Sequence, residues 1–125
     1  MSSTSPEILE ACKLKLITTK AELLNRLRQA KEEFFARDKG TDEADQSMAI
    51  LAEGEFLRSQ DRLRTQLLEI ERALLRIEQG SFGFCEETEE PIEVDRLLAI
   101  PWTRLSLEGA EIQESLKKKF AKQTY

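Results

Sequence analysis

Histidine is absent from this chain, and cysteine, proline and glycine are scarce. Without an imidazole, the Ser-His and Cys-His catalytic arrangements are excluded, and the commonest zinc ligand is missing. Cys12 and Cys85 are the two cysteines, and their wide separation predicts two free thiols in a reduced, cytoplasmic protein. Of the five glycines, Gly40 and Gly80 are predicted to end the two long helices.

Long apolar runs and an excess of positive charge are also missing. No segment approaches the length of a membrane span, and the first five residues lack the basic and apolar regions of a signal peptide. The net charge is −5, from 19 basic and 24 acidic residues, so a surface for direct nucleic-acid binding is not expected. The single dense basic run, Lys117-Lys118-Lys119, spreads around a helix and is interpreted as a solvated end.

Two heptad patterns flank a short acidic loop. Apolar residues recur at steps of seven, four and three, and this rhythm is typical of a coiled-coil seam. A loop as short as 38–45 turns the second helix back along the first, so an antiparallel hairpin is predicted with this loop at its tip. The seam positions are Leu16, Leu23, Leu27, Ala30 and Phe34 before the loop, and Phe56, Leu63, Leu67, Ile70, Leu74 and Ile77 after it.

Helix boundary signals divide the chain further. Ser5 and Pro6 predict a helix start, with a break near Thr18, and Gly80 predicts the end of the second long helix. The predicted fold is mainly α: a long antiparallel coiled-coil hairpin, a small globular end and a C-terminal helix. The predicted boundaries are a tail and short helix at 1–15, the hairpin at 16–79 with its acidic tip at 38–47, the globular region at 80–103, and the last helix at 104–125.

The globular region holds two glycines, two prolines and short apolar runs, which predict a turn-rich or two-stranded unit. We expect a small core formed by Phe82, Phe84, Ile92, Val94, Leu97, Leu98, Trp102 and Leu105. Thr103 is predicted to cap the last helix. The expected buried side of that helix comprises Leu105, Leu107, Ile112, Leu116 and Phe120.

The spacing of four residues in and after this region is that of a zinc site. Cys85 and Thr88 are three apart, and Ser106 and Gly109 repeat that spacing further on. Four cysteines at these positions would form a strong four-thiolate site, but only one is present. Hydroxyls are poor zinc ligands, so no metal site is predicted from the chemistry, and Cys85 is interpreted as a small buried apolar residue.

With its surroundings, this segment resembles the DksA/TraR family of bacterial transcription factors. The resemblance covers roughly residues 10–120. The tip pattern of the family, Asp-x-x-Asp-x-Ala, is present here as Asp42-Glu43-Ala44-Asp45-Gln46-Ser47. The other matching segments are Phe82-Gly83-Phe84-Cys85 and Arg96-Leu97-Leu98-Ala99-Ile100-Pro101. Because the cysteines are missing, the chain resembles a cysteine-poor branch whose degenerate zinc-finger-like end folds without zinc.

The resemblance implies a regulator that binds RNA polymerase as a monomer and inserts its hairpin into the secondary channel. Asp42, Asp45 and Ser47 would then lie near the active centre and alter the stability of promoter open complexes, at ribosomal RNA and amino-acid promoters in a stringent-type response. No DNA contact, membrane contact or enzymatic activity is implied. Arg62 matches a basic position that contacts the polymerase or the alarmone ppGpp in relatives.

Other positions argue against ppGpp as a ligand. Glu69, Ile100 and Ala110 fall where ppGpp-binding relatives carry basic residues, and a highly anionic ligand needs cationic partners. We therefore expect neither zinc nor ppGpp as a cofactor.

Simpler interpretations of the same residues exist. Asp42 suits a helix N-cap, Asp45 suits the helix dipole, and Arg62 suits an ion pair on the hairpin. Two rival functions remain at this stage. One is a transcript cleavage factor whose tip acids hold a second magnesium ion, and the other is a structural coiled-coil adaptor.

Overall fold

The computed structural model describes residues 4–37 and 43–123, and over these residues the fold is mainly α, as predicted. Of the two alternatives predicted for the globular region, the turn-rich one is observed, and within the described residues the extended pairing is limited to one antiparallel bridge between Phe84 and Pro91. None of the described helices is long and apolar enough to cross a bilayer. The helices are α1 (Pro6–Phe35), α2 (Glu43–Gln79), α3 (Val94–Ala99) and α4 (Leu107–Gln123).

Backbone and side-chain contacts at the helix ends follow the sequence signals. The Ser5 hydroxyl accepts a hydrogen bond from the backbone N–H of Ile8 at 3.3 Å, which caps α1. At the end of α2, Gly80 has φ 77°, and the N–H of Ser81 reaches the carbonyl of Arg76 at 3.0 Å. This is a Schellman motif, which glycine permits without steric cost. Helix α1 runs through Thr18 without the expected break.

The chain forms two compact units, and the first is the hairpin unit, Thr18–Leu68. Phe34 of α1 stacks on Phe56 of α2 with ring centroids 4.3 Å apart and an interplanar angle of 5°. Further along, the Gln60 amide donates to the carbonyl of Leu27 at 3.4 Å. Pairing thus moves backward along α1 as it moves forward along α2, so the predicted antiparallel arrangement is confirmed.

The second compact unit, here called the globular unit, consists of Met1–Ile17 and Glu69–Tyr125. Its core combines the start of α1, the end of α2 and the segment that follows. Burial of apolar side chains from these segments supplies the main driving force for its folding. The core residues with almost no exposure are Cys12, Leu16, Ile70, Ala73, Phe82, Cys85, Ile92, Leu97 and Pro101.

The prediction of the core residues is wrong for two members, Val94 and Leu98. Val94 starts α3 and is 48 % exposed, and Leu98 is 37 % exposed. The reason is that the segment after Ile92 is helical rather than extended, so only Leu97 of α3 points into the core.

The prediction that one side of the last helix is buried is also wrong, since four of its members are exposed: Leu107, Ile112, Leu116 and Phe120. Its predicted cap is displaced as well. Ser106 accepts the hydrogen bond from the N–H of Gly109, whereas the Thr103 hydroxyl donates to the carbonyl of Leu105.

Basic side chains in the globular unit donate hydrogen bonds to backbone carbonyls of other segments. Each contact joins segments far apart in sequence or closes a loop, and each satisfies an acceptor that no helix uses. The Lys15 contact lies at the C-terminal end of α3, where a cation also favours the helix dipole. The contacts are Lys15 Nζ to Leu98 O (3.1 Å) and Ala99 O (3.0 Å), Arg76 Nη2 to Trp102 O (3.3 Å) and Thr103 O (3.4 Å), and Arg96 Nε to Leu105 O (2.8 Å).

Candidate functional site

The acidic end of the hairpin unit is the first candidate site. Asp45 and Ser47 lie in the first turns of α2 and are exposed. Asp45 therefore places a carboxylate beside the positive end of the helix dipole. Asp42 lies outside the described residues. Arg62 lies further along α2 and is exposed, so it is accessible to a partner.

Two apolar residues beside these polar ones are exposed. Met48 is 64 % exposed and Leu51 is 62 % exposed. Met48 follows Asp45 by three residues and Leu51 follows Ser47 by four, so each pair shares a helix face. Neither residue was predicted as part of a site. Both lie on α2 but off the coiled-coil seam that contains Phe56, and this position in the sequence already indicates exposure. This end of the hairpin therefore offers carboxylate, hydroxyl and apolar groups together.

The second candidate site is the set of four positions with zinc-ligand spacing, here called the Cys85 cluster: Cys85, Thr88, Ser106 and Gly109. The structure brings all four together. Cys85 and Ser106 are buried with 2 % and 5 % exposure, and a Cβ atom added to Gly109 would lie 2.5 Å from the Cys85 sulfur. The spacing in the sequence thus located a real spatial cluster.

The groups around the Cys85 sulfur change the pKa of its thiol. Burial by itself would raise the pKa of this thiol. Hydrogen bonds from the hydroxyl and backbone groups of Ser106, and then of Thr88, outweigh burial and lower the pKa from 9.0 to about 6. The other thiol, Cys12, behaves differently: burial raises its pKa, and the nearby charge of Lys15 only partly opposes this effect.

A tight turn holds Cys85 in place. The N–H of Cys85 donates to the carbonyl of Glu90 at 2.8 Å, and the N–H of Glu89 donates back to the carbonyl of Cys85 at 2.9 Å. The backbone of Glu89 has φ 62°, which lies in the left-handed region that residues other than glycine and asparagine rarely adopt. A further bond, from the N–H of Glu86 to the carbonyl of Arg104 at 2.9 Å, ties the turn to the segment before α4.

The donor set of the cluster does not suit zinc. One thiolate and two neutral hydroxyls replace four thiolates, and glycine contributes no side chain. Elsewhere in 4–37 and 43–123, no three Cys, Asp or Glu side chains are grouped so that they could hold a metal ion.

A shallow cleft of about 170 Å³ lies beside Trp102 in the globular unit. Glu69 and Ile100 both line it, together with Arg104. The guanidinium of Arg104 is paired with the carboxylate of Glu86 at 2.8 Å. Two positions from which we argued against ppGpp thus line one cleft, where they contribute an acid and an apolar side chain.

Comparison with known protein families gives a match within the globular unit. Residues 80–114 match the model of the prokaryotic dksA/traR C4-type zinc finger. This range contains all four positions of the Cys85 cluster.

Whole-chain comparisons extend the similarity. The chain is 37 % identical over 107 residues to the RNA polymerase-binding transcription factor DksA of Caulobacter vibrioides, covering 85 % of this chain and 75 % of that one. The solved structure of transcription factor DksA2 from Pseudomonas aeruginosa matches with a TM-score of 0.82 and 30 % identity, over 91 % of this chain and 88 % of that one. The RNA polymerase binding protein and transcriptional regulator Dks from Chlamydia trachomatis shares the fold, with a TM-score of 0.52 and 22 % identity, over 94 % of this chain and 95 % of that one.

Proposed function

The chain belongs to the DksA/TraR family, and we propose that it binds bacterial RNA polymerase directly and regulates transcription initiation. The observation that carries this proposal is the 37 % identity, over 85 % of the chain, to a protein named as an RNA polymerase-binding transcription factor. It acts in the cytoplasm as one copy per polymerase, makes no contact with DNA, and performs no chemistry of its own.

In the proposed mechanism, the hairpin unit enters the secondary channel of the polymerase with its acidic end first. The exposure of Asp45, Ser47, Met48 and Leu51 supports this role, because these side chains are available to a partner without unfolding. In a confined and partly desolvated channel, a carboxylate interacts with nearby charges more strongly than it does at a free surface. The result is a change in the lifetime of the promoter open complex.

A binding measurement with purified bacterial polymerase tests this proposal. We expect saturable binding that another secondary-channel factor displaces, together with a several-fold shorter open-complex half-life at a ribosomal promoter. Arg62→Ala should weaken binding by roughly 10- to 100-fold, the usual loss for a charge-assisted contact. Arg64→Ala is the matched control, because Arg64 is also exposed on α2 but points in another direction.

The outcomes separate the rival functions. Absence of binding at micromolar concentrations would favour a structural adaptor and contradict the proposal. Cleavage of the transcript in backtracked complexes, dependent on the tip acids, would favour the cleavage factor instead.

We further propose that ppGpp does not act through this chain. The support comes from the cleft beside Trp102, where Glu69 and Ile100 provide no cation and the head group of Arg104 is paired with Glu86. We expect ppGpp to change the open-complex half-life by the same factor with and without this protein. Glu69→Lys combined with Ile100→Lys should create a response that depends on the protein. Strong synergy between ppGpp and the unmodified chain would contradict this proposal.

A further inference from the structure

The Cys85 cluster is more than a zinc site with ligands missing. A tetrahedral zinc ion binds each thiolate at about 2.3 Å, which holds two thiolate sulfurs about 3.8 Å apart. Here the Cys85 sulfur lies 2.5 Å from the place where any side chain at position 109 would begin. A cysteine at position 109 could not fit beside the sulfur as it now stands. The sulfur therefore lies in space that a side chain at position 109 would need.

The hydroxyl groups of the cluster are oriented toward this sulfur by the backbone. Ser106 Oγ accepts a hydrogen bond from the N–H of Gly109 at 3.0 Å, and Thr88 Oγ1 accepts one from the N–H of Glu90 at 3.3 Å. A hydroxyl has a single proton, and with an acceptor site already used it is free to donate that proton. Each hydroxyl can therefore turn its proton toward the Cys85 sulfur, and such donation favours the thiolate, in line with the lowered pKa of this thiol.

We propose that the Cys85 sulfur forms the centre of this finger in place of a metal ion, and that Gly109 is the residue whose missing side chain makes room for it. Thr88 and Ser106 then have a defined role at two of the positions with zinc-ligand spacing, where they donate hydrogen bonds to the sulfur. This inference concerns the folding of the globular unit and stands independently of polymerase binding.

Gly109→Ala tests the steric part of the proposal. Gly109 lies in the first turn of α4, with no positive φ, and alanine is normally favoured over glycine in a helix. We nevertheless expect the substitution to lower the Tm by roughly 5–15 °C, because the new Cβ overlaps the sulfur in a buried site. In a Cys85→Ala background the same substitution should leave the Tm unchanged or raise it.

Gly54→Ala is the matched control. Gly54 is also helical, and its added Cβ would meet only the flexible end of Arg58, at 3.2 Å. We expect this variant to be as stable as the unmodified chain or more stable. If Gly109→Ala also raises or preserves the Tm, the proposed contact with the sulfur is wrong.

Two further measurements keep the test decisive if the Cys85→Ala variant does not fold. Cys85→Ser shortens the bond from Cβ and keeps a hydrogen-bonding atom, so in that background Gly109→Ala should cost less than in the unmodified chain. An equal loss of Tm in both backgrounds would contradict the proposal. In addition, the unmodified chain should neither bind one equivalent of Zn²⁺ against a chromogenic chelator nor change its Tm with Zn²⁺ or EDTA. Stoichiometric zinc binding would overturn the proposal.

Discussion

Replacing Thr88, Ser106 and Gly109 by cysteine together is expected to make folding of the globular unit depend on zinc. With Cys85, this variant presents two pairs of thiolates at zinc-finger spacing on segments that the structure already holds side by side. Apparent binding free energies of structural zinc sites are about 10–16 kcal/mol at neutral pH, which exceeds the net stability of many small domains.

Without zinc the same variant should be far less stable than the unmodified chain. The Cβ of the new cysteine at position 109 would lie 2.5 Å from the Cys85 sulfur, and the Thr88 and Ser106 hydroxyls proposed as donors to that sulfur would be gone. Overpacking of a buried site costs about 1–3 kcal/mol, and lost hydrogen bonds add to this loss. Thermal melts followed by circular dichroism, with Zn²⁺ and with EDTA, measure both effects.

The control is the variant that carries Thr88→Cys and Ser106→Cys but keeps Gly109. It changes the same two hydroxyls without crowding the sulfur, so in EDTA its Tm should lie above that of the triple variant. If the triple variant melts at the same temperature with Zn²⁺ and with EDTA, the four positions do not converge as the structure indicates.

The hairpin was predictable from the sequence because its contacts repeat. Seam residues recur mostly every three or four residues along each helix, so the period of the sequence predicts the pairing, and the Phe34–Phe56 stack falls on the predicted seam. The Ser5 and Gly80 boundaries were also predictable, because capping depends on local backbone geometry.

The globular unit was less predictable because single long-range contacts determine it. The bonds from Lys15 to Leu98 and Ala99 join positions more than eighty residues apart, and no sequence period encodes them. Short apolar runs do not distinguish a strand from a short helix, which is why Val94 was misassigned.

For the Cys85 cluster, spacing identified the four positions but not the chemistry. The direction of each hydroxyl depends on backbone N–H groups at Glu90 and Gly109, which only the folded chain brings into place. The close approach of the sulfur to Gly109 was likewise invisible in the sequence.

Asp42→Asn combined with Asp45→Asn is expected to abolish the effect on open-complex lifetime while polymerase binding changes by less than about threefold. Asparagine keeps the size of the side chain and removes only the charge. At the exposed first turn of α2, loss of the carboxylate of Asp45 costs about 0.3–1 kcal/mol through the helix dipole, too little to unfold the hairpin. This variant should lose regulation but keep binding, because the proposed contacts of the hairpin surface with the polymerase, such as that of Arg62, remain intact.

Glu53→Gln combined with Glu55→Gln is the matched control, since both glutamates are exposed on α2 and the net charge changes by the same amount. This control should regulate as the unmodified protein does. If both double variants weaken regulation equally, net charge rather than tip position is responsible. If Asp42→Asn with Asp45→Asn loses binding and regulation in parallel, the tip acids serve docking. Only loss of regulation with binding retained supports their action at the active centre, where a confined carboxylate is least screened.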